Sequence, residues 1–140
     1  MDTTVAPPLA GELLARRARL PAGAAAAGEA RGVVRDAIRA WGLLVDVGDA
    51  LLLTSELVAN GVLHGGGAVT LSVRVSGGRL RVEVYDTSGD LPVPGGDPGG
   101  GAVSGRGLLL VETLASEWGS YRCPGGKAVF FTLAPPVDAR

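Results

Sequence analysis

The strongest constraint on the fold is a pair of alternating segments, AVTLSVRVS and LRVEVYD, joined by Gly77-Gly78. Val69, Leu71, Val73 and Val75 recur at every second position, and so do Leu80, Val82 and Val84. Side chains of a strand alternate between two faces, so each segment has one apolar face that needs covering. Two consecutive glycines accept the positive φ of a tight hairpin turn. A β-hairpin with one buried face is therefore expected over this stretch.

The cover must come from helices. In AGAAAAGEARGVVRDAIRAWG, Val34, Ile38 and Trp41 stand at helical spacing, and Gly42 is placed to end the helix. Asp46 or Asp49 can cap a second helix that runs through SELVANGVLH and stops at Gly65-Gly66-Gly67. The sequence turns helical again after Gly107, in LLLVETLASEW. Val129, Phe131 and Leu133 then alternate in a last strand, with Trp118 to Arg122 as its hairpin partner across a Gly125-Gly126 turn. Glu12 to Leu20 reads as an edge strand in preference to a short helix. Helices on one face of a mostly antiparallel sheet make an α/β fold, a two-layer sandwich.

The chain has 140 residues, 46% of them hydrophobic, which suits one domain with a real core. Residues 1–11 read as a flexible arm, 12–134 as the domain and 135–140 as a tail. Formal net charge is −1, and the 13 basic and 14 acidic residues are interspersed, so the composition shows no footprint for nucleic acid or an anionic membrane. Cys123 is the single cysteine, which excludes an intrachain disulfide and a multi-cysteine metal site. The start, MDTTVAPPLAGELL, lacks the basic residues and unbroken apolar run of a signal peptide. No apolar run approaches the roughly 20 residues of a membrane span, so a cytoplasmic protein is expected.

Two stretches carry chemistry. In SELVANGVLH, Glu56, Asn60 and His64 follow one another at intervals of four. Four helical residues advance by about 400°, so the three form one ridge that drifts by about 40° per step. Leu53, Leu57 and Val58 can pack the core beside it, leaving a polar ridge that faces water or a ligand rich in oxygen and nitrogen. The second stretch, TSGDLPVPGGDPGGGAVSGR, is too crowded with glycine and proline for a helix or strand, and reads as a long mobile loop. At its exit, Gly105 and Gly107 precede a helix whose free N–H groups and dipole favour an anion such as phosphate. The dinucleotide fingerprint fails there for want of a third glycine and a preceding strand. Gly126-Lys127 fails as a P-loop, because Tyr121 stands at the first glycine position and Ala128 replaces the magnesium-holding hydroxyl.

Another phosphate-binding pattern does match, in order. ELVANGVLH resembles the N box, YDTSGD the first glycine box and SGRGLLLV the second glycine box of the gyrase, chaperone, histidine-kinase and MutL (GHKL) ATP-binding superfamily. With LPAG and VVRDAIRAWGL before them and PGGKAVFFTL after, residues 12 to 134 resemble the small RsbW-like anti-sigma-factor serine kinases abundant in actinobacteria. The resemblance implies a Bergerat-type ATP-binding fold that uses ATP and Mg²⁺. By analogy, Asn60 would offer its carboxamide oxygen to Mg²⁺ and Glu56 would act as general base. His64 would lie at the pocket rim, touching phosphate or lid, or would simply bond a loop carbonyl at the helix end. Asp86 would accept the exocyclic amino group of adenine, and Gly89 would let the backbone approach the base. Gly105, Arg106, Gly107 and Leu108 would wrap the triphosphate, with residues 90–104 as a lid. Lys127 is a weaker candidate for such a contact, the alternative being a strand-end lysine that is merely solvated.

The departures are local. Ser88 and Asp90 occupy the two glycine positions of the usual Asp-x-Gly-x-Gly, with Gly89 between them. Gly61 replaces a small alanine, at a cost of about 1 kcal/mol in helix propensity, and Ala128 stands where relatives often carry threonine. The implied activity is that of a serine/threonine protein kinase that phosphorylates a STAS-type anti-sigma-factor antagonist and sequesters a sigma factor, as a homodimer. The alternative is a non-catalytic regulator that only holds a protein partner. The ATP-binding half of a sensor histidine kinase fits less well, since the only histidine is His64, inside the N box.

Overall fold

In the computed structural model the hairpin forms the middle of the sheet, with one face buried as the alternation requires. The structure describes residues 3–4, 14–65, 68–87, 111 and 113–136. Strands β1 (Thr3–Thr4), β2 (Leu14–Leu20), β3 (Val69–Ser76), β4 (Arg79–Asp86), β5 (Glu117–Cys123) and β6 (Gly126–Leu133) form one sheet in the order β1-β2-β3-β4-β6-β5, and every neighbouring pair is antiparallel. Gly77 and Gly78 turn the β3–β4 hairpin with φ of 60° and 78°, values that a residue with a side chain rarely adopts. β2 is a strand, as expected, but not quite an edge, because Thr3 and Thr4 pair with Ala18 and Arg17 outside it. The β5–β6 turn falls on Pro124-Gly125 and not on Gly125-Gly126. Cys123 pairs with Gly126, and Gly125 takes the positive φ of 82°.

Helices α1 (Ala25–Trp41) and α2 (Val47–Gly65) cover one face. Ala26, Ala30, Val33, Val34, Ala37 and Ile38 form the buried stripe of α1, spaced by three and four as an amphipathic helix demands. Gly42 ends it in the left-handed conformation, with Gly42 N–H donating to Arg39 and Leu43 N–H to Ile38. That pair of bonds is a Schellman cap, closed by the apolar Leu43 and Ile38. α2 is capped by Asp46, whose Oδ1 accepts the Asp49 backbone N–H at 2.8 Å. Under both helices lie Val69, Leu71, Val73, Leu80, Val82, Val84, Val129 and Phe131, all buried and all on the same side of the sheet by register. Val111, Thr113 and Leu114 are helical, and Val111 is buried in the same core.

The opposite face has its own buried centre. Glu83 is fully buried and accepts hydrogen bonds from Arg74 on β3, from Arg81 and Tyr85 on β4, and from Tyr121 on β5. Burial pushes its carboxyl up, but hydrogen bonds from Tyr121, Tyr85 and Arg81 outweigh it and hold the group below its ordinary value of 4.5. Sequence reading did not find this cluster. Its signal lay in the polar half of the hairpin, where Arg74, Arg81, Glu83 and Tyr85 alternate with the core residues.

Candidate functional site

α2 carries the polar ridge because its other sides are taken up by packing. Leu53, Leu57 and Val58 are buried, Ser55 accepts a hydrogen bond from Arg31 of α1 at 2.9 Å, and Gly61 faces the sheet. What remains on the flank is Glu56 and Asn60, both half-buried. Asn60 Oδ1 is buried and has no hydrogen-bond partner among the described residues. A buried carbonyl oxygen left unpaired costs about 1–3 kcal/mol, so this oxygen is an acceptor open to a cation or a donor.

The helix meets Asp86 through Gly61. A Cβ placed on Gly61 would lie 3.1 Å from methyl carbons of Val69 and Val84 and 3.6 Å from Asp86 Oδ2. The Asp86 carboxylate, at the end of β4, is thus brought against the turn of α2 that carries Asn60. Asp86 is buried, and its Oδ1 receives a hydrogen bond from Lys127 Nζ at 3.0 Å. Here the structure corrects the sequence reading. Lys127 is not a solvated strand end but a buried partner, because β6 register places it directly opposite Asp86 on the helix-covered face. Gly126 makes that register possible, since a Cβ there would stand 1.8 Å from the Asp86 carbonyl oxygen.

Asn60 Oδ1 suits a hard cation, which prefers neutral or anionic oxygens and keeps waters or phosphate oxygens in its other positions. No group of three or more His, Cys, Asp and Glu residues among the described residues could hold a metal alone. Of the other residues singled out by sequence, His64 lies in the last turn of α2, with its side chain outside the described residues. Gly89, Gly105, Arg106, Gly107 and Leu108, and the lid at 90–104, also lie outside them. The structure thus brings Asn60 and Asp86 to one place and adds Lys127 to it. No helix of the described residues is long and apolar enough to cross a membrane.

Comparison with known proteins gives this geometry a context. The family model for the histidine kinase-like ATPase domain matches residues 20–133. Among solved structures, the crystal structure of the RsbU and RsbW domains of Rv1364c from Mycobacterium tuberculosis superposes with a TM-score of 0.64 at 24% sequence identity. The match covers 89% of this chain and 34% of that one, so the chain spans about a third of the larger protein, and at this identity the likeness is one of fold. No match was found among curated proteins.

Proposed function

The chain belongs to the histidine kinase-like ATPase domain family, and from that premise we propose that it binds ATP with Mg²⁺ and transfers the terminal phosphoryl group to a serine or threonine of a partner protein. The observation that carries the proposal is the buried Asn60 Oδ1, unpartnered among the described residues, one helical turn from Glu56 and in the turn of α2 that meets Asp86. Asn60 would hold the cation. When bound, Mg²⁺ supplies charge neutralisation on the phosphate oxygens. Glu56, on the same ridge, would take the proton of the attacking hydroxyl. Asp86 would accept the amino group of adenine from the floor of the pocket while still holding Lys127.

The partners in this reading are a STAS-type anti-sigma-factor antagonist, as phosphoacceptor, and a sigma factor that the protein sequesters. A homodimer formed around strand β2 and helix α1, and a cytoplasmic setting, complete it. Gly89, Gly105, Arg106, Gly107 and Leu108 are assigned to nucleotide contact and residues 90–104 to the lid, with His64 at the rim. Calorimetric titration with ATP, with and without Mg²⁺, tests the site. Binding that needs Mg²⁺, and that both Asn60→Ala and Asp86→Asn abolish, is the expected result. Glu56→Gln should keep that binding yet lower phosphoryl transfer by about 10²–10⁴-fold. Unchanged binding by Asn60→Ala would remove the metal assignment.

One observation favours a second reading, a regulator that acts only by holding its partner. Lys127 already occupies Asp86 Oδ1, so a base must share that carboxylate with a buried ammonium. No ATP binding by the wild type, restored by Lys127→Thr, would establish that reading.

A further inference from the structure

The sheet face opposite the helices concentrates positive charge. By register, the side chains of Arg17 and Arg19 on β2, Arg74 on β3, and Arg79 and Arg81 on β4 all stand on it, and among the described residues only Glu83 and Glu117 oppose them. The whole chain sums to −1, so this face is markedly more basic than the rest. Glu83 is fully buried and already engaged by Arg74 and Arg81. Arg17, Arg19 and Arg79 are exposed and have no carboxylate partner among the described residues. Clustered like charges raise the energy of the folded chain, and among the described residues no ion pair or ring contact offsets the charge of Arg19 and Arg79, which is the pattern of a surface kept for a partner.

The aromatic rings beneath decide which partner. The Arg81 guanidinium lies 3.8 Å from the centroid of the Phe130 ring, and that of Arg17 lies 5.2 Å from the centroid of Tyr85. Tyr85 and Tyr121 turn their hydroxyls down to Glu83. With Tyr85 and Phe130 capped, only Tyr121 among the described rings of this face is left open, so a run of stacked bases in a single-stranded nucleic acid is poorly served. Guanidinium groups stacked in this way are instead pre-ordered forks for carboxylates. A second copy of the chain would bring arginines against arginines.

We propose that this face docks an acidic segment of a partner protein. Six residues of β4 separate the row of Arg19 and Tyr85 from Arg79, a length of about 20 Å at the usual strand rise. That matches about four turns of helix carrying carboxylates along one side. The surface lies across the sheet from Asn60 and Asp86, so docking there leaves the proposed nucleotide site open.

The test uses the full chain and a fluorescein-labelled helical peptide of about four turns with glutamates along one face, followed by fluorescence anisotropy. Expected is binding that weakens as salt rises, and a loss of about tenfold or more in the Arg19→Glu/Arg79→Glu double variant. Arg31→Glu/Arg35→Glu, the same charge change on exposed positions of α1, should alter affinity by less than about threefold. The urea midpoint of the Arg19/Arg79 variant should match or exceed that of the wild type, which separates lost docking from lost folding. No peptide binding at low salt, or equal losses in the two double variants, would overturn the proposal. So would tighter binding of an oligothymidylate of equal length through the same arginines. Sedimentation showing a wild-type dimer that Arg19→Glu/Arg79→Glu dissolves would assign the face to a second copy instead, and also overturn it.

Discussion

Glu83→Gln tests the electrostatic centre of the sheet directly. The carboxylate is fully buried and serves four donors, two guanidinium groups and two phenols. Glutamine keeps the shape but leaves one oxygen, and it turns an amide N–H₂ toward groups that are themselves donors. Breaking a buried pair by removing one partner costs about 3–5 kcal/mol. The Arg74 and Arg81 side chains are 23% and 33% exposed, so water recovers part of that. A loss of about 2–4 kcal/mol in urea denaturation at neutral pH is expected. Because the folded carboxyl lies below its ordinary 4.5, its contribution is complete above that value and disappears as pH falls through the lower folded value. The gap between wild type and variant should therefore close under acid conditions. The chain has only two tyrosines, and both are in this cluster, so the tyrosinate absorbance band reports on it alone. Tyr85 is held above its ordinary 10.0 by burial and then by Glu83, and Tyr121 is raised by the same two causes in the same order. Folded wild type should ionise its phenols above pH 10.0, and the variant nearer to it. A stability loss under about 0.5 kcal/mol, or superimposable tyrosinate titrations, would refute the argument.

Two further substitutions probe the floor of the site. Gly126→Ala puts a methyl into the Asp86 carbonyl, a backbone clash that cannot be relieved by a rotamer, so it should cost at least about 1–3 kcal/mol in denaturant unfolding and weaken ATP binding together. Lys127→Met breaks the buried pair with Asp86 and should destabilise by about 3–5 kcal/mol, and adding Asp86→Leu should restore much of it, both read from thermal unfolding.

The hairpin, both described helices and the α1 cap were legible in the sequence because each rests on a local rule: alternation across Gly77-Gly78, helical spacing in VVRDAIRAW, and a glycine after the last turn. The position of Asn60 followed from helical periodicity in the same way. Lys127 was misread because its burial is a matter of register between β4 and β6, strands separated by a long stretch of chain, and no local pattern encodes that pairing. The Glu83 cluster shares the same cause, since Tyr121 reaches it from a strand 38 residues away. Strand order and long-range register determine both, and a periodicity argument is blind to each.

Gly61 shows how a departure from the family pattern is reinterpreted once the contacts are known. In an isolated helix its replacement by alanine would gain about 1 kcal/mol. Here the added methyl would sit 3.1 Å from one carbon each of Val69 and Val84, tighter than ordinary contact, so α2 must lift by a few tenths of an ångström or both valines must shift. Overpacking of one methyl in a filled core costs about 1–3 kcal/mol. The two terms oppose one another, so Gly61→Ala should change stability by no more than about 2 kcal/mol, on the unfavourable side. Gly61→Leu adds volume with no further gain in propensity and should cost more than the alanine. Nucleotide titration supplies the second readout. Lifting α2 moves Asn60 away from Asp86, so the alanine variant should lose ATP affinity out of proportion to its small loss of stability. A stabilised alanine variant with unchanged ATP affinity would show that the glycine is not there to bring the helix onto the carboxylate.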